Sequence, residues 1–329
     1  MISEEDKIMM ETLYWWGIPT LFRCKHDPDP KNCDIALVGI PHSTGNGTTE
    51  RDQHLGPRAV RNISALQRRA HFDYKINPWK DFKIHDLGDV PLPEANDNEK
   101  CIERISNFFD YIEKAEKPVV SIGGDHSITG GIIQSLAKKN SKLTKGKKIT
   151  LVHFDAHTDC FEKLEHFLGA KKSAAHWASY LVKQGNVDPK TSTQIGIRGN
   201  PRTLDWLQAS YDIGYQVITM DEYKKLGHEK CSKMIKDKFG DNPIYITFDL
   251  DCLDPAVAPG VSNLEPAFNG FSMDEVRKLL QSLKGKNIIG GDVVCLMPTK
   301  DSPNQITAMV AASIMFEIIC LISINLGSK

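Results

Sequence analysis

The sequence lacks the features that mark a secreted, disulfide-linked or nucleic-acid-binding protein. Its eight cysteines are scattered over 329 residues and include no Cys-x-x-Cys pair, which predicts reduced thiols and a cytoplasmic chain. A formal net charge of −1 gives no electrostatic reason to expect a nucleic-acid partner. The acidic opening MISEEDKIMM has no basic segment followed by an apolar one, so we expect no secretory signal.

Long hydrophobic runs are also scarce. The exception is the apolar run at residues 308–325, whose length is close to the ~20 residues of a membrane span. Glu317 lies in its middle, where a charge would be costly within a membrane. We therefore predict a buried C-terminal helix, or one at a subunit interface, and no membrane association.

Short runs rich in Val and Ile alternate with segments of helical period. Strands are predicted over residues 34–40, 82–86, 118–123, 148–155, 193–197, 215–219, 244–251 and 287–294. Helices are predicted over residues 57–70, 101–115, 129–138, 174–183 and 273–283, besides the C-terminal one. This alternation predicts an α/β fold with a mostly parallel sheet covered by helices on both sides.

No repeat or linker divides the chain, so we expect one domain over residues 1–329, with 1–33 as an N-terminal extension.

Three of the predicted strands run into segments rich in Asp and His. These segments read SIGGDHS at 121–127, HFDAHTD at 153–159 and FDLDCLDP at 248–255. In open parallel sheets, binding sites form outside the carboxyl ends of the strands. We therefore expect the three segments to converge.

Their spacing predicts a metal site. Alternate residues of an extended segment share one face, so each Asp-rich motif can point its side chains the same way. The candidate metal ligands are His126, Asp155, His157, Asp159, Asp249 and Asp251. Mixed oxygen and nitrogen donors suit divalent ions such as Mn²⁺, Ni²⁺, Co²⁺ or Zn²⁺. Four carboxylates exceed the charge of one such ion, which predicts two ions about 3.5–4 Å apart that hold a hydroxide between them.

Each motif alone would be weak evidence. A single Asp-x-Asp after a strand is commonly a helix cap or a loop acid, but burying Asp155 and Asp249 without partners would be costly. The metal prediction therefore depends on the joint presence of all three motifs. His153 lies deeper in its strand and is expected in the core or behind a ligand. The sequence is compatible with two positions for His166, one on the surface and one lining the pocket.

GGDHS, DAHTD and FDLDCLDP resemble, in order and spacing, the metal motifs of the ureohydrolase superfamily, which includes arginase, agmatinase, formiminoglutamase and guanidino-acid hydrolases. GPRAVR at 56–61 is similar to the GPRAIR-type helix start of that family. The resemblance extends from Asp34 to Leu321 and is nearest to the agmatinase-like branch. It implies a three-layer αβα sandwich around an eight-stranded, mostly parallel sheet, and a homo-oligomer, a trimer or hexamer.

The resemblance also implies a ligand assignment. One metal would be held by His126, Asp155, Asp159 and Asp249, and the other by Asp155, His157, Asp249 and Asp251. Asp155 and Asp249 would bridge two divalent ions, Mn²⁺ by resemblance with Ni²⁺ as the alternative.

Three catalytic roles follow from the same resemblance. Asp159 would bond the bridging hydroxide and help to move its proton. His176 matches the proton-shuttle histidine, and Glu275 in GFSMDE matches the glutamate that binds the guanidinium group. These residues imply hydrolysis of a guanidino-type C–N bond that releases urea, or a urea derivative, and an amine.

Five departures from the family concern substrate choice. Residues 160–173 lack the Asn and Ser pattern with which arginases hold an α-amino acid, and loop 45–52 is unlike that of agmatinases. Residues 261–270 read VSNLEPAFNG where the family has a TPEPGG stretch. Trp177 stands where Gly is usual, either as a pocket wall or as a core residue. Cys295 and Met297 replace Glu and Asn. These changes favour a compact guanidine, a biguanide such as metformin, or guanylurea as the substrate in place of arginine. Agmatine and linear guanidino acids are the alternative substrates.

Two other interpretations compete. The first is a non-catalytic metal-binding subunit in a hetero-oligomer with an active paralogue. The second is a deacetylase-like amidohydrolase of the same general fold, whose single-zinc site would not need six ligands. A count of metal ions per chain, and activity of the chain alone, distinguish these from the ureohydrolase interpretation.

Overall fold

A parallel sheet forms the middle of the computed structural model, which describes residues 2–12, 17–47, 50–162, 169–201, 203–266 and 269–327. Its strands are β1 (Lys25–His26), β2 (Ile35–Ile40), β3 (Ile84–Asp89), β4 (Val119–Gly123), β5 (Thr150–Phe154), β6 (Thr193–Ile197), β7 (Gln216–Thr219), β8 (Ile244–Asp249) and β9 (Ile288–Val294). Their order across the sheet is β1-β3-β2-β4-β9-β8-β5-β6-β7. The predicted parallel sheet is confirmed.

The described residues form eleven α-helices, most of which pack on the two faces of this sheet. They are α1 (Glu4–Thr12), α2 (Gly56–Ile63), α3 (Pro78–Asp81), α4 (Asn98–Lys114), α5 (Ile128–Leu136), α6 (Trp177–Lys183), α7 (Gln208–Ile213), α8 (Met220–Leu226), α9 (His228–Lys238), α10 (Met273–Gln281) and α11 (Ile306–Gly327). Residues of α4, α5 and α6 share one buried cluster with the sheet, and residues of α2 and α8–α11 share the other. In β2, Leu37 faces one cluster while Ala36 and Val38 face the other, which explains why the strands are apolar throughout.

The structure differs from the prediction in a few elements. The sheet has nine strands where eight were expected, because the exposed pair β1, within the predicted N-terminal extension, adds to its edge beside β3. Helix α2 ends at Ile63, where a 3₁₀ turn, Ser64–Gln67, replaces the predicted continuation to residue 70. Helix α6 begins at Trp177, three residues after the predicted start, because His176 has a non-helical backbone and precedes the first turn.

The long apolar helix α11 is a core helix. By length and composition it could cross a membrane, but 83% of its most apolar window is buried inside the protein. Glu317 in its middle is 8% exposed, and one of its carboxylate oxygens lies 2.9 Å from His71 Nε2. The predicted burial of the C-terminal helix is confirmed.

The GPRAVR segment joins α2 to the sheet through a largely buried ion pair. Arg61 donates from Nε and Nη2 to the two carboxylate oxygens of Asp86 in β3, at 2.8 and 3.0 Å. The backbone N–H groups of Leu21 and Gly88 donate to the same carboxylate. Although burial opposes ionisation, these donors hold the pKa of Asp86 below its usual value.

The strand order brings the three motifs together. Strands β4, β9, β8 and β5 are consecutive neighbours, and the motifs follow the carboxyl ends of β4, β5 and β8. Between β4 and β8, strand β9 ends at Val294 and leads into Cys295. The motifs therefore lie within the width of four strands at one edge of the sheet.

Candidate metal centre

His126 is the centre of a first group of convergent side chains. Its Nδ1 lies 3.0 Å from Asp155 Oδ2, 3.0 Å from Asp159 Oδ2 and 3.2 Å from Asp249 Oδ2. None of these contacts has hydrogen-bonding geometry, so the buried Nδ1 has no hydrogen-bond partner. The other ring nitrogen bonds Thr247 Oγ1 at 2.8 Å. A nitrogen and three carboxylate oxygens that face one another in this way are arranged as ligands of a cation.

A second group adjoins the first. His157 Nδ1 lies 3.4 Å from Asp155 Oδ1 and 3.2 Å from Asp251 Oδ2. That buried oxygen of Asp251 also lacks a hydrogen-bond partner. Asp155 turns one oxygen toward His126 and the other toward His157, so a single carboxylate faces both groups, as a bridging ligand must.

These residues fit two divalent ions. In each of two groups, every residue offers one ligand atom that lies within 4.8 Å of the other ligand atoms of its group. The groups are His126, His153, Asp155 and Asp159, and Asp155, His157 and Asp251. Ligands at about 2.0–2.2 Å from one ion lie at most about 4.4 Å apart, so small adjustments would complete either site. His153 lies fully buried in β5, and its Nε2 is 2.7 Å from Asp155 Oδ2.

The close approach of several carboxylates shifts the pKa values of the side chains in both groups. Burial disfavours the charged imidazoles, yet the surrounding carboxylates hold the pKa of His126 and of His157 well above the usual value. Burial and the neighbouring Asp155 raise the pKa of Asp159, and burial with Asp249 raises that of Asp251 well above its usual value. Protons therefore reduce the crowded negative charge, and divalent cations would replace them.

Buried hydroxyl groups orient His126 from behind. Asp292 of β9 is fully buried and accepts hydrogen bonds from Thr247, Tyr245 and Thr129, at 2.7, 2.9 and 3.0 Å. Thr247 in turn accepts from His126 Nε2, which directs Nδ1 toward the carboxylates. The sequence analysis singled out none of these hydroxyl residues, because a Thr or Tyr within an apolar strand carries no distinctive spacing.

Glu265 lies in the departing stretch 261–270, and the sequence analysis gave it no role. Its Oε1 lies 2.8 Å from His157 Nε2, and its side chain is 21% exposed. The bond from His157 lowers the pKa of Glu265, so its carboxylate is ionised. Nearby, Arg198 binds the backbone carbonyls of Asp251 and Pro266, both at 2.9 Å, which fixes the chain on either side.

Glu275 does not join these groups. It forms a capping box with Ser272 at the start of α10, and both carboxylate oxygens bind Lys224 Nζ, at 2.7 and 2.8 Å. The described contacts of Glu275 thus lie away from the metal ligands, and its predicted role in binding a guanidinium group stays a prediction.

The remaining predicted residues lie around α6. His176 is buried, and its Nδ1 is 2.6 Å from Ser173 Oγ. Trp177 is completely buried, which favours the core position over the pocket wall. His166 lies outside the described residues, as do the segments 48–49, 163–168 and 267–268.

An αβα protein with two adjoining Asp and His groups at the carboxyl edge of its sheet has the design of a metal-dependent hydrolase. The chain belongs to the arginase family, whose model, "Arginase family", matches residues 33–321. This family comprises binuclear metal enzymes, and the match favours the ureohydrolase interpretation over the deacetylase-like one.

Individual relatives agree with this assignment. The chain is 33% identical to the guanidinopropionase of Pseudomonas aeruginosa, over 93% of this chain and 92% of that protein. It is 31% identical to the mitochondrial guanidino acid hydrolase of Homo sapiens, over 92% and 82% respectively. Its structure resembles that of the proclavaminate amidino hydrolase from Streptomyces clavuligerus, with a TM-score of 0.84, 28% identity and coverage of 95% and 99%. The chain is thus a hydrolase that acts on C–N bonds of amidines.

Proposed function

We propose that this hydrolase cleaves a compact guanidino-type compound, releasing urea or a urea derivative and an amine. The observation that carries the proposal is the convergence of His126 Nδ1 with three carboxylates, beside a second group that shares Asp155. Two divalent ions, Mn²⁺ or Ni²⁺, would be held by these residues and would supply an activated water and charge stabilisation.

The chain's own residues then handle protons. Asp159 is partly accessible, with 10% of its side chain exposed, and its raised pKa suits a group that accepts and passes on a proton. We assign delivery of a proton to the leaving amine to Asp159 or His176. His176 directly precedes Trp177, whose indole binds Asp159.

A carboxylate must hold the planar guanidinium cation. The family resemblance points to Glu275, but Lys224 already neutralises that carboxylate. Glu265 is ionised, accessible at one edge of the second group, and bonded to a candidate metal ligand. These contacts support Glu265 as the carboxylate that binds the substrate cation through charge-assisted hydrogen bonds.

The apolar end of β9 supports a compact substrate. Cys295 and Met297 are 4% and 1% exposed, and Cys295 N–H donates to Gly124 beside the first group. Burial and the nearby Asp249 raise the pKa of the Cys295 thiol, which is therefore neutral. Where the family has Glu and Asn, this chain offers no carboxylate or amide to a second cationic group such as the amine of agmatine.

A linear guanidino acid is the second candidate substrate. It is favoured by two relatives that are named a guanidinopropionase and a guanidino acid hydrolase. The proposed reaction is the same, and only the rest of the substrate differs.

A substrate panel tests the proposal. The chain expressed alone, loaded with Mn²⁺ or Ni²⁺, would be assayed for release of urea and of ammonia or an amine from guanidine, guanylurea, a biguanide, agmatine, 3-guanidinopropionate and arginine. We expect the highest kcat/KM for a compact compound. A preference for 3-guanidinopropionate would establish the second candidate. A protein that binds two ions but hydrolyses none of the panel would contradict both and support the non-catalytic subunit interpretation.

A further inference from the structure

Trp177, the first residue of α6, contacts three members of the first metal group. Its Nε1–H donates to Asp159 Oδ2 at 2.6 Å. The centre of its ring lies 4.8 Å from that of His126 and 4.9 Å from that of His153. Trp177 has no exposed surface, so its ring is enclosed between this group and the apolar core.

The bond from Trp177 reaches Asp159 beyond the regular strand. The Asp159 backbone is in the left-handed region, with φ of 51°, beyond the end of β5. The oxygen that accepts from Trp177 is the one that lies 3.0 Å from His126 Nδ1. The bond from Trp177 therefore fixes the direction of the carboxylate oxygen that faces His126.

Helices α5 and α6 pack closely where α6 begins. A Cβ atom on Gly130 of α5 would lie 1.7 Å from Tyr180 Oη and 3.4 Å from Trp177 Cβ, so the glycine leaves room for the Tyr180 hydroxyl in this interface. Trp177, the first residue of α6, therefore lies between α5 and the metal group.

We propose that Trp177 is a positioning residue of the metal centre: its indole N–H fixes Asp159 as a ligand, and its ring holds His126 and His153 in place. Groups that orient metal ligands typically change metal affinity by about 10–100-fold when they are removed. The inference rests on the proposed metal-dependent function, but its test is metal affinity and needs no substrate.

The test replaces Trp177 by phenylalanine, which retains an aromatic ring and removes the N–H donor. The matched control is Trp79→Phe, since Trp79 donates from Nε1 to Cys24 Sγ at 3.1 Å and packs against Phe316 of α11, in a different core cluster. Mn²⁺ binding would be measured by titration calorimetry, and folding by the thermal midpoint.

We expect Trp177→Phe to raise the dissociation constant of one Mn²⁺ ion by roughly 10–100-fold, with a smaller effect on the other. Trp79→Phe should change both constants less than about twofold, whatever its effect on stability. A folded Trp177→Phe protein that binds both ions with native affinity would overturn the proposal. Failure of the native protein to bind metal would instead overturn the proposed function.

A second measurement remains useful if Trp177→Phe does not fold. Native protein labelled with 5-fluorotryptophan would be titrated with paramagnetic Mn²⁺ and followed by ¹⁹F NMR. We expect the first ions bound to broaden one of the five tryptophan signals selectively, and that signal should persist in Trp79→Phe. Binding of two ions without selective broadening would contradict the proposed contact.

Discussion

Replacing Glu265 by glutamine tests which carboxylate binds the substrate. The amide preserves shape and an acceptor for His157, but it removes the charge that would pair with a guanidinium group. A hydrogen bond to a charged group contributes about 1.5–3 kcal/mol, which corresponds to a loss of roughly 10–150-fold in kcat/KM. With 21% of its side chain exposed, Glu265 is partly screened by solvent, so we expect the lower half of this range.

Glu275→Gln is the matched control, because the same change is made in a carboxylate that binds Lys224 and Ser272. It should leave kcat/KM within about threefold of native and cost about 1 kcal/mol or less of stability, as for a partly exposed ion pair. Both variants would be assayed with the best substrate at saturating Mn²⁺, with metal content measured in parallel. A loss in Glu275→Gln and none in Glu265→Gln would refute the assignment and support the role implied by resemblance.

Three further predictions concern the site and the fold. Asp155→Asn and Asp249→Asn should each abolish turnover and lower metal content, because each removes charge from a proposed bridging ligand; two ions and normal turnover in either variant would disprove bridging. His176→Ala should reduce kcat by roughly 10²–10⁴-fold with unchanged metal content, whereas unchanged kcat would assign proton transfer elsewhere. Asp86→Asn should cost about 1–3 kcal/mol in urea unfolding, because Arg61 loses a buried carboxylate partner and keeps only the partly exposed Asp89. Since folding lowers the pKa of Asp86, the stability that its carboxylate contributes is complete above about pH 4 and declines as the pH falls further. The free-energy cost of Asp86→Asn should therefore shrink in acid, and a cost that does not change with pH would contradict this.

The sequence predicted the sheet well because its central strands are buried on both faces. Runs such as Ile35–Ile40 and Ile244–Asp249 need apolar residues at nearly every position, and this pattern is visible without the structure. The pair Lys25–His26 was not predicted, because it is exposed and carries no apolar pattern. Helices α7, α8 and α9 were also absent from the prediction, since they are largely polar.

The metal motifs were predictable because each follows a strand directly, so local spacing determines where His126 or Asp155 lies. The bonds that Glu265 and Trp177 make to the site were not predicted, because they join residues 108 and 18 positions apart. Such contacts depend on how loops and helices pack across the edge of the sheet. The expected trimer or hexamer and the cytoplasmic location remain predictions.

The central claim is that two divalent ions occupy adjoining groups that share Asp155. A crystal structure of the Mn²⁺-loaded protein, with anomalous scattering collected at the manganese edge and metal content measured on the same sample, tests it most directly. We predict two ions per chain about 3.5–4 Å apart, one beside His126 and one beside His157, with Asp155 between them. A single ion per chain, or two ions that share no carboxylate, would contradict the claim.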